Sequence, residues 1–233
     1  MWGHCEYDTR NVWFVTWGDE GQHRGPRSRP GEQLAGALSF ARRIVPKQRV
    51  LPVVLEQNQP WWERVVRDLP PENVMTQPLD RGSAPGILAA ALRIMARDPD
   101  AILVLMSTEG PRPERQQIFR GIDLARREPS VVVLPKAAEA RAALGCAQVL
   151  EIEPTQIVWD ESTLEAGTTT VARASLLVEV FRSSCPEMVE ELGKPEVVQT
   201  PSTMDLIFPF LPDTDFMTHV LGPAPDHLRV LGR

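Results

Sequence analysis

The chain has 233 residues, 42% hydrophobic and 24% charged, which is enough apolar content to bury a core and too ordinary a charge fraction for global disorder. A formal charge of -6 opposes a broad nucleic-acid surface, which needs basic side chains to displace counterions from phosphates. It does not exclude a small phosphate pocket. Only three of the 25 basic residues are lysines, Lys47, Lys136 and Lys194, and the other 22 are arginines. Cys5, Cys146 and Cys185 are widely separated and lack the spacing of a zinc or redox site, which predicts free thiols in a reducing compartment. No apolar run reaches the roughly 18 residues that span a bilayer. The polar, acidic start MWGHCEYD is unlike a signal peptide. A soluble cytoplasmic protein without membrane or nucleic-acid partners is expected.

In chain order, residues 1–10 read as a loose arm. VWFVTW (Val12 to Trp17) reads as a buried first strand, followed by a Gly-, Pro- and Arg-rich loop from Gly18 to Gly31. Helical spacing of Leu34, Leu38, Ala41 and Ile44 predicts a helix over Gln33 to Ile44. Val50 to Leu55 is a second strand, which Pro52 weakens or places at an edge. A short helix over Trp61 to Leu69, a strand over Asn73 to Thr76 and a strong helix over Ala84 to Ala96 come next. Ser83 is placed as the N-cap of that last helix, with Pro85 at its first position. AILVLM (Ala101 to Met106) predicts a third buried strand, Arg115 to Arg127 a helix, Ser130 to Leu134 a fourth strand and Ala137 to Leu144 a helix.

The second part is less regular. Val149 to Val158 predicts one strand or two, and Thr168 to Ala172 another. Ala174 to Glu191 predicts a helix kinked or split by Pro186. Gly193 to Met204 reads as a polar connection. Thr214 to Val220 reads as a short helix capped by Asp213 or Thr214, and Leu228 to Leu231 as a last strand. Strands alternating with helices imply an α/β fold with a doubly wound, mostly parallel sheet. The chain is expected to be one domain, with a Rossmann-like nucleotide half over 11–136 and a reduced second half over 137–233.

In such folds ligands bind at the carboxyl ends of the strands. Three loops therefore matter. The first, after Trp17, carries Gly18 and Gly21, which allow backbone N–H groups close to phosphates, and three arginines with His23. The second is Arg81-Gly82-Ser83-Ala84, where a helix N-terminus offers N–H donors and a positive dipole end. The third is Ser107-Thr108-Glu109, in which Glu109 is the one carboxylate placed for a hard cation such as magnesium. Each has a plain alternative: a solvated loop, a turn with a helix cap, and a polar loop without metal. Asp215 and His219 form an i, i+4 pair without a third ligand, which reads as a helix-surface contact. The histidines form no metal spacing, and no nucleophile elbow is present, so no catalytic residue is assigned.

The run LPPENVMTQPLDRGSAPGILAAALRIMARDPDAILVLMSTEG resembles the middle of mannose-1-phosphate guanylyltransferases, members of the sugar-phosphate nucleotidyltransferases. In that family a Glu/Gln-Pro pair, a motif close to RGTAP, a DPDA turn and a strand ending in PSDH follow in this order. ARRIVP (Ala41 to Pro46), the stretch from Thr168 to Leu192 and FLPDTDF (Phe210 to Phe216) extend the likeness. The resemblance implies a glycosyltransferase-A-like Rossmann fold, here divergent and shortened. It also implies a pocket for GTP and GDP-mannose lined by Gly18, Gly21, Arg81, Gly82, Ser83 and Ala84, and magnesium if the chain is active.

Departures fall on the chemical groups. Asp19 replaces the second glycine of the family's loop, His23 stands at its arginine, and Gly31-Glu32 rather than lysine follows Arg29-Pro30. Thr108 holds the position of the metal-binding aspartate. Loss of one group aimed at transition-state charge typically costs about a hundredfold or more. The first expectation is therefore a degenerate, non-catalytic member that binds nucleotide or serves as a regulatory subunit for a protein partner or a second copy of itself. One alternative is active guanylyl transfer with relocated ligands, for example Glu109 and Asp80 on magnesium. A further alternative is a pure protein-interaction module.

Overall fold

The computed structural model describes residues 8–18, 30–109, 112–134 and 169–231. Gly21, Lys136, Cys5 and Cys146, the expected helix over Ala137 to Leu144 and the expected strands over Val149 to Val158 lie outside the described residues.

Among the described residues seven strands form one sheet in the order β3-β2-β1-β4-β6-β5-β7. They are β1 (Val12–Trp17), β2 (Val50–Leu55), β3 (Met75–Gln77), β4 (Ile102–Ser107), β5 (Val131–Leu134), β6 (Thr169–Arg173) and β7 (Leu228–Val230). Neighbours are parallel except where β6 runs antiparallel to both β4 and β5. The sheet is thus mostly parallel, as the alternating pattern predicts. β2 lies between β1 and β3, so the edge position allowed for by Pro52 is not taken. The pairing of β2 with β3 starts at Val53, one residue past the proline, whose missing N–H therefore precedes that ladder.

Alternation along the strands sends side chains to two cores. Trp13, Val15, Leu51, Leu103 and Leu105 face one side, and Val12, Phe14, Val50, Val104 and Met106 the other. The second side is covered by α1 (Pro30–Ala41), α2 (Gln59–Val66) and α4 (Arg115–Arg127). α1 begins earlier than expected, because Pro30 and Gly31 belong to its first turn. Before α4, the Glu114 N–H donates to Gln117 Oε1 at 3.0 Å, half of a capping box.

The first side is covered by α3 (Ser83–Met95), α5 (Ala174–Ser184), α6 (Pro186–Leu192) and the segment that follows. Every residue from Ala84 to Ala91 is buried. Small side chains let this helix lie close to the sheet: a Cβ on Gly86 would meet Gln77 Oε1 at 2.5 Å and Val53 at 2.6 Å. The helix expected over Ala174 to Glu191 is split at Cys185, with Pro186 opening the second piece, where its missing N–H costs nothing. The stretch read as a polar connection instead contains two short helices, α7 (Pro195–Gln199) and α8 (Pro201–Ile207), each opened by a proline. The expected helix over Thr214 to Val220 is a π-helical turn over Phe216–Leu221. Its cap is Asp215, not Asp213 or Thr214, because the Asp215 carboxylate accepts from the Thr218 N–H at 2.8 Å. No helix among the described residues is long and apolar enough to cross a membrane.

Candidate functional site

The carboxyl ends of β1, β3 and β4 share one end of the sheet, and two clusters stand there. The first is the start of α3. Gly82 holds φ +74°, a conformation that favours glycine, so it sits at the cap position and Ser83 becomes the first helical residue. The N-cap expected at Ser83 is corrected accordingly, and Pro85 is the third helical residue rather than the first. The Ser83 hydroxyl is spent on a segment far away in sequence. It donates to Asp215 Oδ2 at 3.0 Å and accepts from the Phe216 N–H at 2.8 Å.

The rest of the motif is tied to the same strap. Arg81 donates through Nε to the Phe208 carbonyl at 3.3 Å and through Nη2 to the Pro209 carbonyl at 2.7 Å. The Thr214 N–H donates to the Arg81 carbonyl, and the Ala84 N–H to the Thr214 carbonyl, both at 3.0 Å. A Cβ on Gly82 would lie 2.5 Å from the Thr214 carbonyl oxygen. The Gly82 N–H donates to Asp80 Oδ1 at 3.0 Å. Of the four N–H groups that begin this helix, two are taken by the chain's own oxygens and a third is absent at Pro85. The strap is anchored by Phe216, which is fully buried, stacks on Phe181 at 5.7 Å and meets Trp17 edge-on at 6.2 Å.

His219 also serves the strap. Its Nδ1 accepts from the Asp215 backbone N–H at 2.9 Å, so the i, i+4 pair closes the π-helical turn as well as lying on its surface. Cys185, the described thiol, is free, and partial burial pushes its pKa up, which makes it a poor nucleophile.

The second cluster joins Gly18 to the end of β4. The Thr108 N–H donates to the Trp17 carbonyl at 2.6 Å, extending the β1–β4 ladder by one bond. Thr108 is 2% exposed, and among the described residues its hydroxyl has no hydrogen-bond partner. Its Oγ1 lies 1.8 Å from where a Cβ on Gly18 would stand, so any larger residue at position 18 would force the Thr108 side chain to move. The Glu109 N–H donates to Ser107 Oγ at 3.1 Å.

Arg112 is the residue that sequence reasoning missed. Half-buried, it donates through Nη1 to the Ser107 carbonyl at 3.0 Å and through Nη2 to the carbonyls of Thr108 at 3.0 Å and Gln33 at 3.2 Å. Among the described residues no carboxylate pairs with it. Burial lowers its pKa from the ordinary value, yet a guanidinium stays charged at neutral pH. The cue in the sequence was an arginine between two prolines directly after the strongest strand, but its partners are main-chain oxygens, which no side-chain motif announces.

Chemically the two clusters differ. The start of α3 is a satisfied clasp. Among the described residues the end of β4 combines a fixed cation, Arg112, a hydroxyl without a partner, Thr108, and one carboxylate, Glu109. That set suits an anion better than a hard divalent cation, which takes several oxygen ligands and is repelled by a neighbouring guanidinium.

No family model and no curated protein matches this sequence. Solved structures do match its fold. A mannose-1-phosphate geranyltransferase from Thermus thermophilus aligns with TM-score 0.69 and 14% identity over 95% of this chain and 73% of its own. A mannose-6-phosphate isomerase from Helicobacter pylori aligns with TM-score 0.58 and 11% identity over 94% and 97%. At such identities the likeness is one of fold, and it supports the α/β architecture with a mostly parallel sheet.

Proposed function

We propose that this chain is a non-catalytic protein of the nucleotidyltransferase fold that binds a guanine nucleotide or GDP-sugar and acts as a regulatory subunit. The observation that carries this reading is Arg112 at the end of β4. Its guanidinium engages the Ser107 and Thr108 carbonyls, the oxygens nearest the place where a magnesium carboxylate is expected. Nucleotidyl transfer depends on charge neutralisation at the reacting phosphate, and a metal normally supplies much of it. Among the described residues Glu109 is the one carboxylate at the end of β4, too few oxygen ligands for magnesium, and Asp80 caps the Gly82 N–H at the other cluster. In this reading Gly18 approaches the phosphates. Arg81, Gly82, Ser83 and Ala84 contribute shape rather than charge, because their polar groups are spent on the strap.

The test is titration calorimetry with GTP and GDP-mannose, with and without magnesium, beside a pyrophosphate-release assay with GTP and mannose-1-phosphate. Binding without release above background is expected. Release above background overturns the reading and restores the active alternative. One observation favours a second reading, a pure protein-interaction module. Phe210 is 87% exposed, Leu206 70% and Leu79 44%, and Phe210 adjoins the carbonyls that Arg81 holds. Failure of both nucleotides to bind favours that reading.

A further inference from the structure

The end of β4 carries an arrangement that the fold does not require. A buried hydroxyl without a partner costs stability. Among the described residues a half-buried arginine is held only by carbonyl oxygens, with no carboxylate to meet its positive charge. Three of its bonds are accounted for, so among the described residues two of the five guanidinium N–H groups have no acceptor. Both features meet at one residue: Arg112 Nη2 donates to the Thr108 carbonyl, and the unpaired hydroxyl belongs to Thr108. That hydroxyl stands over Gly18, the last described residue before the glycine-rich loop.

We infer that the Gly18–Thr108–Arg112 cluster is a metal-independent anion site, in which the guanidinium takes the place of a divalent cation beside the phosphates of a nucleoside polyphosphate. The inference rests on the nucleotide-binding reading above and adds to it how the phosphate charge is met. Arginine suits this task because its donors are planar and fixed in advance by the carbonyls of Ser107, Thr108 and Gln33. The Thr108 hydroxyl supplies one further donor from a buried position, where a bond to an anion is stronger than in water.

The experiment titrates the full chain with inorganic pyrophosphate, GTP and guanosine, each in EDTA and again in magnesium. Pyrophosphate and GTP are expected to bind in EDTA. Excess magnesium is expected to weaken pyrophosphate binding, because the metal competes with the protein for the anion. Thr108→Val is expected to cost about tenfold or more in pyrophosphate affinity, the loss of one hydrogen bond to a charged group, while Thr108→Ser retains it. Arg112→Met is expected to abolish binding and Arg112→Lys to keep part of it. Because Arg112 also holds the loop, thermal unfolding of each variant without ligand separates lost binding from lost folding, and Thr108→Val breaks no existing bond. Pyrophosphate binding that requires magnesium overturns the inference, as does binding in EDTA that Thr108→Val and Arg112→Met leave unchanged. Equal affinity for guanosine and GTP overturns the inference but leaves the nucleotide reading standing. No binding of any of the three overturns both.

Discussion

The start of α3 and the end of β4 lie at the same end of one sheet, yet they treat their polar groups in opposite ways. At Arg81 to Ala84 the guanidinium, the hydroxyl and the helix-end N–H of Ala84 each meet an oxygen from the segment 208–216. At Thr108 and Arg112 a hydroxyl and part of a guanidinium are left over among the described residues. A folded chain pairs its buried polar groups wherever it can. The leftover groups are therefore the better guide to a ligand, and the fully paired ones the better guide to what holds the fold. The most recognisable motif of the sequence falls in the second class.

The sharpest way to break this comparison is to remove the strap's anchor. Phe216→Ala deletes a fully buried ring from between Phe181 and Trp17. It is expected to cost about 3–5 kcal/mol, read as a drop in the denaturation midpoint. Hydrogen exchange at the Ala84 and Thr214 amides should accelerate along with it. If those amides stay protected while the global midpoint falls, the strap is held by other contacts and the clasp is not a unit. Gly82→Ala comes next. It places a side chain at φ +74° against a backbone carbonyl at 2.5 Å, and a loss of about 3 kcal/mol is expected. A near-neutral result would mean that Gly82 is there for a ligand's approach rather than for Thr214.

Ser83→Ala is milder. It removes a donor to Asp215 and an acceptor for the Phe216 N–H, both on a partly exposed surface that water reaches. A loss of about 1–2 kcal/mol is expected. Nucleotide affinity should change less than stability if the clasp is structural. A large loss of affinity at unchanged stability would move the ligand to the start of α3.

Much of the fold was legible because it is written in local periodicity. The apolar runs at Val12, Val50, Ile102 and Val131 became strands within a residue or so of their expected limits, and α4 matches its expected limits. Non-local pairings were what failed. Ser83 read as a cap because Ser before an Ala-rich helix usually is one, whereas its partner lies 132 residues away. Pro52 suggested an edge because proline lacks a donor, but the neighbouring ladder begins one residue later. Of the cluster at the end of β4, Gly18 and the loop after the strand stood out in the sequence. Arg112 was not, because an arginine that binds carbonyl oxygens leaves no spacing of acidic residues to announce it. The Arg81–Ala84 motif stood out in the sequence as the start of a helix, and its clasp partners in the 208–216 segment emerged only from the folded chain.

The smallest effect is also the most discriminating, because its sign is opposite to the others. Thr108→Val keeps the β-branched shape and replaces an unpartnered, buried hydroxyl with a methyl group. Since an unsatisfied buried group carries a desolvation cost, the variant is expected to be as stable as the parent or more stable by up to about 1 kcal/mol. In a chain of this size that is a rise of roughly 2–4 °C in Tm. Added pyrophosphate should then reverse the ranking, because a ligand stabilises only the chain that binds it, in proportion to the logarithm of its excess over Kd. A Thr108→Val chain less stable than the parent without ligand would mean that the hydroxyl already has a partner, and the contrast between a spent cluster and an unspent one would fail at its central residue. A more stable apo chain that loses its response to pyrophosphate would instead identify the hydroxyl as a group held in reserve for a ligand, at a cost to the fold.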